Sequence, residues 1–203
     1  ELAKSISRHL LDGRKLVRID CSEYALPHET AKLIGAPPGY VGHSEGGVLT
    51  SEIEENPRTV VLFDEIEKGH EKLHNMLLQI LDDGRLTDSK GTTVDFSQCL
   101  ILMTSNVGAA DYSQATSRLG FDQPESLAQT EFVDITTQAL RNKFKPELLN
   151  RLDGILTFKS LDVSDCERIA ELQLKMLQQR MLGADINLKW SKALCRAIAA
   201  AGY

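Results

Sequence analysis

The chain has 203 residues, 23 Lys+Arg against 29 Asp+Glu, a net charge of −6 and 42% hydrophobic residues. These values fit a globular protein of one domain, or one domain with a small appendage, and they lack the positive excess on which nucleic-acid binding draws. No apolar run approaches the roughly 20 residues that cross a bilayer, the start ELAK lacks a signal-peptide core, and four cysteines without metal-like spacing point to a reducing compartment.

In chain order, ELAKSISRHLLDG predicts a helix with apolar Leu2, Ile6, Leu10 and Leu11, without an N-cap and closed by Gly13. Residues 16–20, 59–63 and 100–104 read as buried strands, because each run is too short for a helix and rich in β-branched or bulky apolar side chains. Between them lie helical stretches over 47–56, stopped by Pro57, and over 71–81, with Leu73, Leu77, Leu78 and Leu81 on one face and a stop near Gly84. Strands alternating with helices predict a parallel sheet covered on both sides, with ligands beyond the carboxyl ends of its strands. Residues 107–129 are aperiodic and rich in Ser, Gln, Ala and Asp, which reads as a functional or disordered loop. Helical pattern resumes over 132–144 and breaks at Pro146, and residues 154–158 form a strand candidate. An amphipathic helix over 163–181, carrying Ile169, Leu172, Leu174, Met176 and Leu177, is followed by a short strand and a helix over 191–201. This last portion reads as the beginning of a small helical subdomain.

The sharpest local feature is Val60-Val61-Leu62-Phe63-Asp64-Glu65, a buried strand that delivers two adjacent carboxylates at its carboxyl end. Close carboxylates repel and need hydration or a cation, and magnesium would match them. In a nucleotide reading, Asp64 holds Mg²⁺ through its water shell and Glu65 polarises the water that attacks a γ-phosphate. The alternative is that both acids only cap the helix that follows. A second strand ends in Thr104-Ser105-Asn106, so the Asn106 amide shares the acidic edge if the two strands are neighbours; an Asx turn is the alternative. Gly35-Ala36-Pro37-Pro38-Gly39-Tyr40-Val41-Gly42 displays an aromatic between glycines where prolines exclude a helix, so Tyr40 either grips a ligand or folds back onto the surface.

Taken in order, IDCSEY, LIGAPPGYVGHSEGG, VVLFDEIEKGH, LLQILDDGRLTDSKGTTVDF, MTSN and KFKPELLNRLD resemble the second ATPase domain of the Clp chaperones, which are AAA+ protein unfoldases and disaggregases. The resemblance covers nearly the whole chain and is weakest over 108–130. It implies an α/β fold, an AAA+ P-loop-type parallel sheet flanked by helices, with a large subdomain over 1–158 and part of a C-terminal small helical subdomain over 159–203. It makes Asp64 and Glu65 the Walker B acids, Asn106 the first sensor, and Tyr40 with Val41 the substrate-gripping pore loop. A second pore loop falls in a hairpin around residues 86–93. Arg151, in LLNRLD, matches the arginine finger that reaches a neighbouring subunit's γ-phosphate, with a salt bridge to Glu147 or Asp153 as the alternative. The implied cofactors are ATP and Mg, with Mg on Asp64 through water. The implied partners are five further copies in a homo-hexamer and unfolded or aggregated polypeptides, with neither nucleic acid nor membrane.

Leu119-Gly120-Phe121 resembles the apolar-Gly-apolar tripeptide by which ClpA- and ClpC-like members dock on the ClpP peptidase, although a loop that tucks both apolar residues against the domain fits equally well. The expected function is therefore ATP-dependent unfolding and translocation feeding a ClpP-like peptidase, in the cytoplasm or in an organelle matrix of bacterial origin. A ClpB-like disaggregase without a peptidase is the alternative. A nucleic-acid motor is disfavoured, since residues 35–47 hold Glu45 and His43 but no Lys or Arg. The phosphate-cradling GxxxxGK[ST] loop does not occur in the chain, nor does the family's second sensor arginine, so the expectation is a portion of a longer protein that binds ATP poorly by itself. A scaffold that has lost hydrolysis is the remaining rival.

Overall fold

The computed structural model describes residues 1–10, 15–36, 46–108, 129–158, 161–183 and 186–202. They form two compact units, Glu1–Ile155 and Leu156–Tyr203. In chain order the first unit contains α1 (Leu2–Leu10), β1 (Leu16–Asp20), a 3-10 turn at Cys21–Tyr24, α2 (Ala31–Ile34), α3 (Val48–Glu55) and β2 (Val60–Asp64). A second 3-10 turn at Ile66–Lys68 leads into α4 (Glu71–Asp83), followed by β3 (Arg85–Thr87), β4 (Thr93–Asp95), β5 (Leu100–Met103), α5 (Gln129–Lys143) and α6 (Pro146–Leu149). The second unit contains α7 (Val163–Leu182) and α8 (Lys192–Gly202).

The three apolar runs pair as a parallel sheet in the order β1-β2-β5, flanked by helices, as the alternation of elements predicts. β2 is central, and Val60, Val61 and Phe63 are all fully buried, so both of its faces are covered. Burying Phe63 alone contributes roughly 1.5–3 kcal/mol. Val17, Ile19, Val61 and Phe63 join Leu33, Leu49, Ile53, Leu73, Leu77 and Ile80 in one core. α4 starts at His70, whose Nδ1 accepts the Lys72 amide at 3.1 Å, and ends at Gly84 in the left-handed conformation. Its buried face is Leu73, Met76, Leu77 and Ile80, whereas Leu78 and Leu81 stand at the core margin. β3 and β4 form the hairpin that the resemblance implies around residues 86–93, with Leu86 opposite Val94.

Two strand expectations fail. Residues 154–158 join no ladder among the described residues, and Leu156 and Phe158 are 78% and 71% exposed. Apolar composition does not make a strand without a neighbour to take its amides and carbonyls. Residues 186–190 are not a strand either, because the Ile186 amide bonds the Met181 carbonyl and the Leu188 carbonyl accepts from Gln178. The long helix forms where expected, with a capping box between Asp162 and Asp165. Its apolar row is not a buried stripe, however: Ile169, Leu172 and Met176 are exposed, and only Ala170 is buried, packed in the same small unit as Cys195 and Ala199 of α8. The Gly13 helix stop lies outside the described residues.

Candidate functional site

β2 and β5 are neighbours, which is the condition for the two strand ends to share an edge. Their ladder closes with Phe63 opposite Met103, so Asp64 and Thr104 are the next residues at the carboxyl end of the sheet. The Thr104 amide donates to the Phe63 carbonyl at 2.9 Å, and its own carbonyl accepts the Ile66 amide at 3.0 Å. Its hydroxyl donates to Asp64 Oδ1 and accepts the Glu65 amide at 3.1 Å. Asn106 lies two residues further along, its backbone amide donating to Glu67 Oε1 at 3.4 Å. The edge therefore collects Asp64, Glu65 and Asn106.

Cations answer the carboxylates. Arg18 donates from Nε at 2.9 Å and from Nη2 at 2.6 Å to Asp64 Oδ2, and Lys68 Nζ donates to Glu65 Oε2 at 2.7 Å. The Thr104 hydroxyl and then the Arg18 guanidinium hold the Asp64 carboxyl below the usual range, so it is ionised at neutral pH. Asp64 raises the Arg18 pKa in turn, and Glu65 raises that of Lys68. Glu65 adopts φ 55° and ψ 51°, a left-handed backbone that is costly for a residue with a Cβ. The two acids do not cap a following α-helix, since Glu65 makes no side-chain cap bond and α4 is capped by His70.

Arg151 is not brought to this edge. It follows α6 and pairs through Nε with Asp82, in neither of the pairs that the sequence offers, and both residues line a cleft with Leu78, Glu147 and Asn150. Asp82 stands in the last turn of α4, about 16 Å along the helix from its start beside the acidic edge. Tyr40, Val41, Leu119, Gly120 and Phe121 lie outside the described residues. Sequence reasoning missed Arg18, Lys68 and the bridging role of Thr104. The signal available for Arg18 was a lone cation in an apolar strand; with Asp20 opposite Asp64, it reaches Asp64 diagonally across the ladder.

Residues 1–155 match the family described as the AAA domain (Cdc48 subfamily). The chain belongs to this AAA family. Residues 161–203 match the C-terminal, D2-small domain of ClpB protein, so the AAA chain is a Clp-type second ATPase module. A ClpA homolog, an ATP-binding subunit of a Clp protease from Pyropia yezoensis, is 42% identical over 207 residues, covering 100% of this chain and 25% of the relative. Chaperone protein ClpC1, chloroplastic, from Oryza sativa subsp. japonica is also 42% identical over 207 residues, covering 100% and 22%. The ClpA homolog of Guillardia theta reaches 46% over 193 residues, covering 93% and 24%. The chain thus spans about a quarter of the length of the curated relatives it matches. Among solved structures, the S. cerevisiae Hsp104:casein complex in its extended conformation aligns at TM-score 0.82 and 35% identity, over 100% of this chain and 34% of that one. A closed state of Hsp104 with ATPγS and FITC casein aligns at TM-score 0.72 and 38% identity, over 88% and 30%.

Proposed function

We infer that, in the full-length protein, this module hydrolyses ATP within a homo-hexameric ring that pulls on polypeptide. The observation that carries the reading is the delivery of Asp64 and Glu65 at the end of the central parallel strand, beside the strand end that bears Asn106. The large subdomain is assigned to 1–158 and part of the small subdomain to 159–203.

The residues at the edge fit nucleotide with Mg²⁺. Asp64 offers hard carboxylate oxygens, and the Arg18 guanidinium on Asp64 Oδ2 stands where positive charge is called for. Mg²⁺ takes one or two carboxylates and completes its shell with phosphate and water, a demand that Asp64 can meet. When bound, Mg·ATP supplies the scissile phosphoanhydride and neutralises charge on its phosphates. Asp64 is assigned to hold the ion through water. Glu65, 39% exposed on its side chain, accepts a proton from the attacking water once its carboxylate leaves Lys68. Asn106 orients that water without competing for its proton. Arg151, exposed on a separate part of the surface, is assigned to a neighbour's site and must exchange Asp82 for that site's phosphate.

Tyr40 and Val41 are assigned to grip the substrate chain, as apolar contact without a fixed hydrogen-bond pattern suits many sequences. The casein of the Hsp104 complexes supports a polypeptide substrate. Leu119-Gly120-Phe121 is assigned to dock a ClpP-type peptidase, in keeping with the ClpA and ClpC relatives. A ClpB-like disaggregase is the second reading, favoured by the match of residues 161–203 to the small domain of ClpB. The chloroplastic relatives support an organelle matrix of bacterial origin, or the cytoplasm, as the compartment. Among the described residues no helix is long and apolar enough to cross a membrane. The test is Glu65→Gln in the full-length protein: nucleotide binding persists while turnover falls by about 10²-fold or more. Hydrolysis at the wild-type rate overturns the assignment.

A further inference from the structure

Glu65 presents a local problem that the nucleotide reading leaves open. Among the described residues it is the only non-glycine at positive φ. A left-handed residue turns the chain sharply, so its side chain leaves in a direction that an extended or right-handed residue at the same point would not give. Among the described residues its carboxylate is held by Lys68, and that long flexible cation fixes a direction poorly. The backbone conformation must therefore be held from elsewhere.

The bonds that hold it converge on one residue of the neighbouring strand. Thr104 engages four consecutive residues: it donates its amide to the Phe63 carbonyl and its hydroxyl to Asp64 Oδ1, accepts the Glu65 amide on that same hydroxyl, and accepts the Ile66 amide on its carbonyl. Three of these contacts surround the left-handed turn. Two of them depend on a hydroxyl that donates in one direction and accepts in another, which valine cannot do and serine can.

We propose that Thr104 is a positioning residue of the hydrolytic site, its hydroxyl clamping the Asp64 carboxylate and the Glu65 amide so that the Glu65 carboxylate is held where it meets the attacking water. The proposal rests on the assignment of Glu65 as the general base. It gives the residue a role distinct from binding nucleotide, since Thr104 acts through the conformation of residues 64–66.

The experiment compares Thr104→Val, Thr104→Ala, Thr104→Ser and Glu65→Gln in the full-length protein by two readouts. The first is steady-state ATP hydrolysis with nucleotide affinity measured separately. T104V is expected to lose about tenfold in kcat, with nucleotide affinity within about twofold of wild type, and T104S to recover most of the loss. The second is amide hydrogen exchange without nucleotide. In T104V the Glu65 amide exchanges about tenfold faster, having lost its acceptor, while the Ile66 amide keeps the Thr104 carbonyl and its protection. T104A lacks the hydroxyl too and carries both readouts if T104V fails to fold. Wild-type kcat, or unchanged Glu65 exchange, in the folded hydroxyl-free variant overturns the proposal. If E65Q hydrolyses at the wild-type rate, the base assignment itself fails; if E65Q is inactive while T104V turns over normally, only the role of Thr104 is overturned.

Discussion

Cys21 is completely buried where β1 gives way to its 3-10 turn, and burial pushes its thiol up to about 12. Only the thiolate is nucleophilic, so at pH 8 the reactive fraction is on the order of one in ten thousand and alkylation of Cys21 follows unfolding of the domain. Rapid labelling of Cys21 by iodoacetamide in the folded protein contradicts this. The sign for stability follows from the raised folded value: the protonated thiol contributes fully below the unfolded pKa of about 8.5, and that contribution is lost as pH rises towards 12. Urea midpoints measured between pH 8 and pH 10.5 should therefore fall with pH in the wild type and fall less in Cys21→Ala. At the residue scale, Asp64, Glu65 and Asn106 are legible because charged and amide groups abruptly end apolar runs. Arg18 and Lys68 are not, since a cation's partner depends on the register between strands and on the shape of a turn.

The elements themselves are more legible than their burial. The strands at 16–20 and 60–64 and the helix beginning at Glu71 appear within a residue or two of expectation, because length, β-branching and helix stops are local properties. Which side of an element is buried is less local: α4 buries Met76 and Ile80 beside Leu73 and Leu77, while Leu78 and Leu81 of the expected face stand at the core margin. Truncating Leu77, fully buried in that face, should cost about 2–5 kcal/mol in a urea titration, and a loss below about 1 kcal/mol would place it outside the core. Gly47, which caps α3, shows a close approach that composition hides. A Cβ there would lie 2.1 Å from the Leu33 carbonyl oxygen, a backbone atom that cannot swing aside. Gly47→Ala is therefore expected to destabilise by about 1–3 kcal/mol and to loosen the junction of α2 and α3, read as a lower melting temperature.

For the whole molecule, the ring assignment makes Arg151 a residue of the neighbour's site. Arg151→Ala should leave nucleotide binding intact and remove most hydrolysis, while rings mixed with Glu65→Gln subunits regain part of it, since an intact acidic edge then meets an intact arginine. Mixed rings as inactive as either parent count against a role in trans. Tyr40→Ala should keep ATPase activity and lose substrate unfolding, measured on a fluorescent protein carrying an unstructured tail. Residue order alone determined the alternation of strands and helices, the acids at the end of the central strand and the family resemblance, because each is written in short-range pattern. Only the tertiary structure decided that residues 154–158 and 186–190 are not strands, that Arg151 pairs with Asp82, and that Thr104 bridges Asp64 and Glu65. Those outcomes depend on what a segment meets across a sheet or at a helix end; the partners of Thr104 and Arg151 lie about 40 to 70 positions away and carry no local mark of meeting.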